Sequence, residues 1–301
     1  MQHNQVKQEV VQKSAWSNAL TDLGLLVKFK LSLLVLFSAL MSYLFVAGSH
    51  IDWAEFCMLG LGGFFVTGAA NALNQVLERD LDRLMPRTMD RPLAANRMQV
   101  SQAVLTAGIM ALIGITLLTL LHPLAGFLGT LSLISYAFIY TPMKRTSIMA
   151  VVVGAIPGAL PLIIGPVVFE GYISAAALML FTMQFFWQFP HFWAVAWLAN
   201  DDYKKAGFYM LPTPNSTKTP LVGRLSLLFC LLLIGNAVLA WSIGLVGTVA
   251  SVVLVGINGY FAYTAWRLQN ECSTEAARKQ MFASFMHLPI SLIVLVLDRL
   301  I

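Results

Sequence analysis

Charged residues are scarce in this sequence. Only 11% of its 301 residues are Asp, Glu, Lys or Arg, whereas about a quarter of the residues of an ordinary soluble domain are charged. Hydrophobic residues make up 58% of the chain. This composition excludes an ordinary soluble domain and predicts a polytopic membrane protein.

Cysteine is also rare, and the few cysteines form no Cys-x-x-Cys pair, so neither a disulfide framework nor a zinc site is expected. They are Cys57, Cys230 and Cys272. The first apolar run begins late and continues as a full span, so we expect no removable signal peptide. We expect residues 1–24 to form a polar cytoplasmic extension and residues 25–301 to form a single transmembrane domain.

Hydrophobic runs of about twenty residues, the length that crosses the hydrocarbon core, occur repeatedly along the chain. We predict from them an all-α bundle of about nine transmembrane helices, with a tight reversal at His122-Pro123. The runs lie near residues 31–48, 56–75, 102–121, 124–141, 149–168, 174–198, 221–241, 245–266 and 283–297.

The basic residues lie almost entirely on one side of these spans. With alternating spans, 18 of the 19 Lys and Arg residues share one face, and only Arg299 falls on the other. The positive-inside rule then predicts a cytoplasmic N-terminus, a C-terminus on the opposite side and an inner (cytoplasmic) membrane location. The net charge of +5 follows this topology, so no nucleic-acid partner is expected.

A polar stripe ends the second apolar run. Asn74, Glu78 and Asp82 are four residues apart, so on a helix they share one face over roughly 12 Å. Oxygen ligands of this kind suit Mg²⁺, which is usually held by one or two carboxylates together with substrate phosphates. The alternative is a solvated helix end with ion pairs four residues apart. We predict a Mg²⁺ site, because carboxylates bordering a bilayer are costly to keep there.

Three arginines follow the stripe. Arg83, Arg87 and Arg91 recur every fourth residue, although Pro86 interrupts the helix. Guanidinium groups bind phosphate oxygens in a planar fork, so they indicate a site for a metal-bound diphosphate. Each of them could equally be present only because of the positive-inside rule.

Two further cytoplasmic segments carry charge. The loop after the sixth span contains Asp201-Asp202 and Lys204-Lys205, which could hold a second cation and neutralise a leaving group. The fourth span ends at Tyr140, followed by Lys144-Arg145, and these cations suit a phosphate or an anionic acceptor. We predict that the acidic groups of the two halves of the bundle grip one diphosphate from two sides.

Several motifs follow one another in a fixed order. They are Glu78-Arg79-Asp80-x-Asp82, Met85-x-Arg87-Thr88-x-x-Arg91-Pro92-Leu93, Tyr140-Thr141-Pro142-x-Lys144-Arg145, Gly154-Ala155-Ile156-Pro157-Gly158-Ala159-Leu160-Pro161, Trp187-Gln188-Phe189-Pro190-His191-Phe192 and Asp202-Tyr203-x-Lys205-Ala206-Gly207. With these motifs the chain resembles the protoheme IX farnesyltransferase (heme O synthase) family of the intramembrane aromatic-prenyltransferase superfamily. The resemblance runs from about residue 25 to the C-terminus.

The chain departs from the superfamily pattern at two places. Glu78 stands where relatives usually have Asp, so a carboxylate is kept on a longer arm. Many relatives carry two aspartates four residues apart in the second motif, whereas Lys205 and Ala206 stand four residues after Asp201 and Asp202 here.

The resemblance implies transfer of a farnesyl group from farnesyl diphosphate to a vinyl group of heme b, with addition of water. The products would be heme O and diphosphate, Mg²⁺ would be the cofactor and heme b a substrate. The transmembrane domain would then be a prenyltransferase domain in the lipid bilayer. Downstream heme-handling or oxidase-assembly proteins would be further partners.

The resemblance also implies roles for single residues. The predicted catalytic residues are Asn74, Glu78, Asp82, Lys144 and Arg145. The predicted substrate-binding residues are Arg83, Arg87, Arg91, Tyr140, Trp187, His191, Tyr203, Lys204 and Lys205. The predicted metal ligands are Asn74, Glu78, Asp82, Asp201 and Asp202. His191 could ligate heme iron, or it could be an interior histidine that is hydrogen-bonded between helices.

Two other functions compete with this one. A prenyltransferase could act on another acceptor, such as a quinone precursor or chlorophyllide, but the Trp-Gln-x-Pro-His segment at Trp187 favours heme. An ion-coupled transporter also carries carboxylates in its membrane part, but transporters bind substrate near the midplane. Here the charged groups gather at one face, which favours chemistry on an amphiphile with a polar head and a buried tail.

Overall fold

The computed structural model describes residues 18–300 of the chain, so residues 1–17 of the predicted extension lie outside it. Residues 18–26 are helical, and the predicted boundary at residue 24 falls inside this segment. Nine long helices follow in the described part. They are α1 (Phe29–Ala47), α2 (Trp53–Asp82), α3 (Val100–Leu121), α4 (Pro123–Met143), α5 (Ala150–Glu170), α6 (Ala175–Leu198), α7 (Pro220–Ser242), α8 (Thr248–Glu271) and α9 (Thr274–Leu300).

Eight of these helices in residues 18–300 are long and apolar enough to cross a membrane, which makes the chain a multi-pass membrane protein. The exception is α6, which has 24 residues and is long enough to cross a membrane but is less apolar than the other helices. Its hydropathy is lower because it carries Gln184, Gln188 and His191. The prediction of an all-α bundle of about nine membrane helices is therefore confirmed.

Two helices extend beyond the apolar runs from which they were predicted. The helix α2 continues to Asp82 and α9 begins at Thr274, whereas the apolar runs stop at 75 and begin at 283. Hydrophobic length marks only the hydrocarbon core, while a helix can continue into the polar interface because its backbone hydrogen bonds are internal.

The predicted reversal at His122-Pro123 is confirmed. His122 has extended backbone angles, and its Nδ1 accepts a hydrogen bond from the Leu124 backbone N–H at 3.2 Å. Pro123 occupies the first position of α4, where its missing N–H has no cost. This cap lets α3 and α4 reverse direction with a single residue between them.

The helices α4 and α5 are both irregular. In α4, residues Ser135–Tyr140 form a π-helical turn, a feature found frequently at functional sites. In α5, two segments, Ala150–Ala159 and Pro161–Glu170, meet at Leu160. Pro161 cannot donate a backbone hydrogen bond across this junction, which lets α5 bend there.

Candidate functional site

The polar stripe lies on one buried face of α2. Asn74, Glu78 and Asp82 have exposed fractions of only 1%, 4% and 1%. All three line one polar pocket at the end of the bundle where α2 stops. The four-residue spacing therefore predicted the shared face correctly, and the stripe is a buried feature rather than a solvated helix end.

Each member of the stripe has a basic partner. Lys144 Nζ donates to Glu78 Oε1 at 2.8 Å, and Arg91 Nη1 donates to Asp82 Oδ1 and Oδ2 at 2.8 and 2.7 Å. Lys28 Nζ donates to Asn74 Oδ1 at 2.8 Å. Buried charges need such partners, because an unpaired ion in a low-dielectric site is strongly destabilising.

Lys28 is a pocket residue that the sequence did not reveal. The Gln75 amide donates to the backbone oxygens of Leu25 and Leu26, both at 2.8 Å, and the Asn71 amide donates to Val27 O at 3.3 Å. These bonds hold residues 25–27 against α2 just before Lys28, which has φ 48°. The only sign of this contact in the sequence is the pair of amide side chains on α2, Asn71 and Gln75, and the sequence does not show which segment they bind.

The electrostatics of the two lysines differ. Burial, together with repulsion from Arg91 and Lys144, lowers the pKa of Lys28 to about 7. For Lys144, burial disfavours the charged form, but the ion pair with Glu78 outweighs this effect and raises the pKa. Lys144 therefore stays charged, and added negative charge in the pocket would favour the charged form of Lys28.

The loop after α2 folds back over the pocket. Thr88 Oγ1 donates to the backbone oxygen of Asp82 at 2.9 Å, which returns Arg87 and Arg91 to the end of the helix. Arg87 Nη2 donates to Tyr203 Oη at 3.3 Å, and its guanidinium lies 5.6 Å from the centre of the tyrosine ring. The loop thus adds two of the predicted arginines to the pocket wall.

The segment after α6 closes the other side. Tyr203, Phe208 and Met210 line the pocket, and the Tyr209 backbone N–H donates to Lys144 O at 2.8 Å. The pocket has a volume of about 130 Å³. Its charged groups are two carboxylates and four bases, namely Glu78, Asp82, Lys28, Arg87, Arg91 and Lys144. With every base charged, the excess of positive charge suits a polyanion such as a diphosphate.

Several predicted site residues lie outside this pocket. Arg83 donates hydrogen bonds to the following loop, to Ala94 O at 2.9 Å and to Asn96 Oδ1 at 2.6 Å. Asp202 pairs with Lys205 at 3.5 Å. The remaining ones, Arg145, Asp201 and Lys204, are exposed. The segment after α6 therefore reaches the pocket through Tyr203, Phe208 and Met210, and not through the acidic pair Asp201 and Asp202.

The donor set of the pocket fits a hard divalent cation. Carboxylate oxygens of Glu78 and Asp82 and an amide oxygen of Asn74 are the ligands that Mg²⁺ prefers, and all three belong to one wall. Their present partners are ammonium and guanidinium groups, which themselves bind phosphate oxygens. A metal arriving with a diphosphate could therefore take the oxygens while the bases turn to the phosphates.

A larger apolar cavity adjoins the polar pocket. It has a volume of about 310 Å³, and Tyr140 lines both spaces. A Cβ atom at Gly154 would lie 2.5 Å from the Tyr140 ring, so only glycine leaves room for this ring against α5. Trp187 and His191 line the cavity, and their rings are stacked with centroids 4.6 Å apart.

Two glutamines add polarity to the cavity wall. The Gln188 amide donates to Ala155 O at 2.9 Å and crosses to α5 where Gly158 leaves space. Gln184 Oε1 is buried, and it has no hydrogen-bond partner among residues 18–300. The cavity is thus an apolar space with a small number of fixed polar groups, as ligand sites usually are.

Known structures share this fold. One is that of a digeranylgeranylglyceryl phosphate synthase, with a TM-score of 0.79 and 16% identity, covering 93% of this chain and 98% of that one. Another is that of a UbiA homologue from Archaeoglobus fulgidus bound to GPP and Mg²⁺, with a TM-score of 0.67 and 15% identity, covering 91% and 99%. The fold is therefore that of the UbiA-type membrane proteins.

Residues 35–288 match the UbiA prenyltransferase family, and the chain belongs to this family. It is similar to the protoheme IX farnesyltransferase of Cytophaga hutchinsonii, with 39% identity over 276 residues, 91% of this chain and 96% of the relative. It is similar to that of Christiangramia forsetii, with 38% identity over 288 residues and 95% of both chains. The human mitochondrial relative is 32% identical over 274 residues, 91% of this chain and 61% of its own length. These matches confirm the family predicted from the motifs.

Proposed function

We propose that this chain transfers a farnesyl group from farnesyl diphosphate to a vinyl group of heme b, giving heme O and diphosphate with the addition of water. The names of its relatives support the donor and the acceptor. We place the reaction at the cytoplasmic side of the inner membrane, because the pocket lies at the face that carries nearly all Lys and Arg residues.

One observation supports this function above the others: a buried, positively charged pocket adjoins an apolar cavity through Tyr140. An allylic diphosphate has the matching shape, with a polyanionic head and a hydrocarbon tail. A transporter site would place its polar groups near the middle of the membrane. Here they gather where α2 and α4 end, at one face of the bundle.

The pocket residues have separate tasks in this reaction. The carbon–oxygen bond to the diphosphate breaks, and its electron pair leaves with the diphosphate. Arg87, Arg91, Lys144 and Lys28 stabilise the charge that develops on the leaving group, an electrostatic effect that is often the largest in catalysis. Asn74, Glu78 and Asp82 would hold Mg²⁺, which supplies further neutralisation of the diphosphate when bound.

The apolar cavity would protect the farnesyl cation. Its wall excludes water from the allylic carbon until the vinyl carbon of heme b forms the new carbon–carbon bond. The cation then lies next to the porphyrin, where water adds and a proton is released, giving the hydroxyethylfarnesyl group. Trp187 and His191 line this cavity and are the residues that we assign to the macrocycle.

Other assignments stay predictions from the sequence. Arg83 and Arg145 would act in substrate binding and catalysis, and Lys204 and Lys205 would contact substrate. Metal binding by Asp201 and Asp202 would require their side chains to move, since they do not line the pocket. The single transmembrane domain over residues 25–301 and downstream heme-handling or oxidase-assembly partners also stay predictions.

The test is incubation of membranes that contain this chain with heme b, Mg²⁺ and farnesyl diphosphate, followed by mass analysis of the extracted hemes. We expect a heme whose mass has increased by one farnesyl group plus water. Membranes with Glu78→Gln are the matched negative control. Prenylation of another added acceptor, with heme b unchanged, would refute the acceptor.

A further inference from the structure

His191 is held by a residue of another helix. Its Nδ1 lies 2.8 Å from the hydroxyl oxygen of Ser284 on α9, and Ser284 is fully buried. His191 itself lies on α6, 93 positions away in sequence. Ser284 was not among the residues that the motifs pointed to, because it stands alone on a helix without a motif.

The hydroxyl proton of Ser284 is already in use. Its Oγ donates to the Met281 backbone oxygen at 2.5 Å, and a serine hydroxyl has only one proton. The hydrogen bond to His191 must therefore run the other way, with Nδ1–H donating and Ser284 Oγ accepting. In a neutral imidazole the proton is then on Nδ1, and Nε2 carries the free lone pair.

The ring is also fixed in orientation. Trp187, one helical turn before His191, stacks on it with an angle of 11° between the planes. The Trp187 Nε1–H donates to the backbone oxygen of Ser284 at 3.0 Å. The same residue of α9 therefore holds both rings, through its hydroxyl group and its carbonyl group.

The second ring nitrogen is left for a ligand. The hydrogen bond to Ser284 through Nδ1 is the only one that the His191 ring makes among residues 18–300, and the ring lines the apolar cavity. Histidines that ligate metals usually donate their other ring N–H to a fixed acceptor, which sets the tautomer and increases ligand basicity. The Ser284 hydroxyl is such an acceptor.

We propose that Ser284 is a positioning residue that keeps His191 in the Nδ1–H tautomer and thereby presents Nε2 to the iron of a porphyrin in the apolar cavity. The porphyrin part of this inference rests on the proposed function, whereas the tautomer does not. The Ser284 hydroxyl group acts only through His191, and Ser284 does not line the apolar cavity.

The tautomer is tested without any ligand. Nitrogen-15 NMR of histidine-labelled protein distinguishes protonated from unprotonated ring nitrogens, the chain has only five histidines, and His191→Ala identifies the signal. We expect Nδ1–H for His191 in the unaltered protein and a mixture of tautomers in Ser284→Ala. An Nε2–H signal in the unaltered protein would overturn the inference.

The consequence for binding is tested by titrating purified protein with heme b and recording its absorption spectrum. Ser284→Ala should weaken heme b binding roughly tenfold, the lower end of the loss seen when such a hydrogen-bond partner is removed, and alter the iron-ligand spectrum. Ser284→Cys, which fills the same space but accepts hydrogen bonds weakly, should do the same. Unchanged binding and spectrum in both variants would contradict the inference.

Ser291→Ala is the matched control, since Ser291 is a buried serine of the same helix whose Oγ has no hydrogen-bond partner in the described part of the chain. It should leave both readouts unchanged. Farnesyl diphosphate binding, measured in parallel, shows that each variant is folded. Failure of the unaltered protein to bind heme b would refute the proposed acceptor, and the tautomer measurement would still decide the role of Ser284.

Discussion

At the scale of single residues, burial separates carboxylates that are close neighbours in sequence. Asp80 is exposed and pairs with Arg79 and Arg83, whereas Asp82 is buried against Arg91. The helical period predicts this difference, because residues two apart face opposite sides. The sequence therefore identified the carboxylates of the pocket.

Residue partners could not be predicted in the same way. Lys28 reaches Asn74 across 46 positions, and Lys144 reaches Glu78 across 66. Spacing rules describe one helix at a time, so they say nothing about which separate segment brings its charge to the pocket. For the same reason, the sequence did not identify Ser284 as the partner of His191.

Lys28→Met should lower both kcat and kcat/KM for farnesyl diphosphate, because Lys28 stabilises the charge that develops on the leaving group. The substitution keeps the length of the side chain and removes one of the four positive charges around the phosphates, whereas the pairs at Glu78 and Asp82 remain. Steady-state kinetics of heme O formation measure both constants. Lys30→Met is the matched control, since Lys30 is exposed and lies two residues away. Equal kinetics for the two variants would exclude Lys28 from the site.

At the scale of helices, the positions of the spans follow from hydropathy, but their close contacts do not. The helix α5 approaches α1 so closely that a Cβ atom at Gly165 would lie 2.5 Å from Ala39 O and 2.7 Å from Tyr43 N. Small residues at helix interfaces allow this approach in membranes. Hydropathy predicted a fifth span near residues 149–168, but not which helix it packs against.

Gly165→Ala should lower the thermal unfolding temperature of the purified protein. Its methyl group meets backbone atoms of α1, which cannot rotate away, so we expect a cost of about 1–3 kcal/mol from overpacking. Gly235→Ala on α7 should leave the unfolding temperature equal or slightly higher, because a Cβ atom there meets nothing within 4 Å. Equal unfolding temperatures for both variants would contradict this packing.

The position of the second acidic motif, Asp201-Asp202, also could not be predicted from local sequence. Its spacing predicted metal ligands, but Asp202 belongs to the short helix Asn200–Lys205 and pairs with Lys205 three residues on. Tyr203 is the residue of this helix that lines the pocket. The direction of a six-residue helix depends on how it packs against its neighbours, which the local sequence does not specify.

At the scale of the whole molecule, the placement of charge predicts the side of the membrane on which the site lies. In the predicted topology nearly all Lys and Arg residues share one face, and the residues that line the polar pocket come from helix ends and loops of that face. The predicted orientation therefore exposes the pocket to cytoplasmic Mg²⁺ and diphosphates.

Cysteine labelling checks this orientation. In a version without Cys57, Cys230 and Cys272, we would place a single cysteine by Lys218→Cys, before α7, or by Ser242→Cys, at its end. A membrane-impermeant maleimide added to spheroplasts of a bacterial host should label Ser242→Cys at once and Lys218→Cys only after permeabilisation. The reverse pattern would invert the topology.

The central claim is that the buried carboxylates of α2 and their basic partners bind a diphosphate together with Mg²⁺. Its most direct test is equilibrium binding of farnesyl diphosphate, with and without Mg²⁺, to purified protein and to Glu78→Gln, Asp82→Asn and Asp80→Asn. We expect Mg²⁺-dependent binding in the unaltered protein and in Asp80→Asn, and a loss of at least about tenfold, or about 1.4 kcal/mol, in the other two. An affinity for farnesyl diphosphate that does not depend on Mg²⁺, or that is unchanged in Glu78→Gln and Asp82→Asn, would contradict the claim.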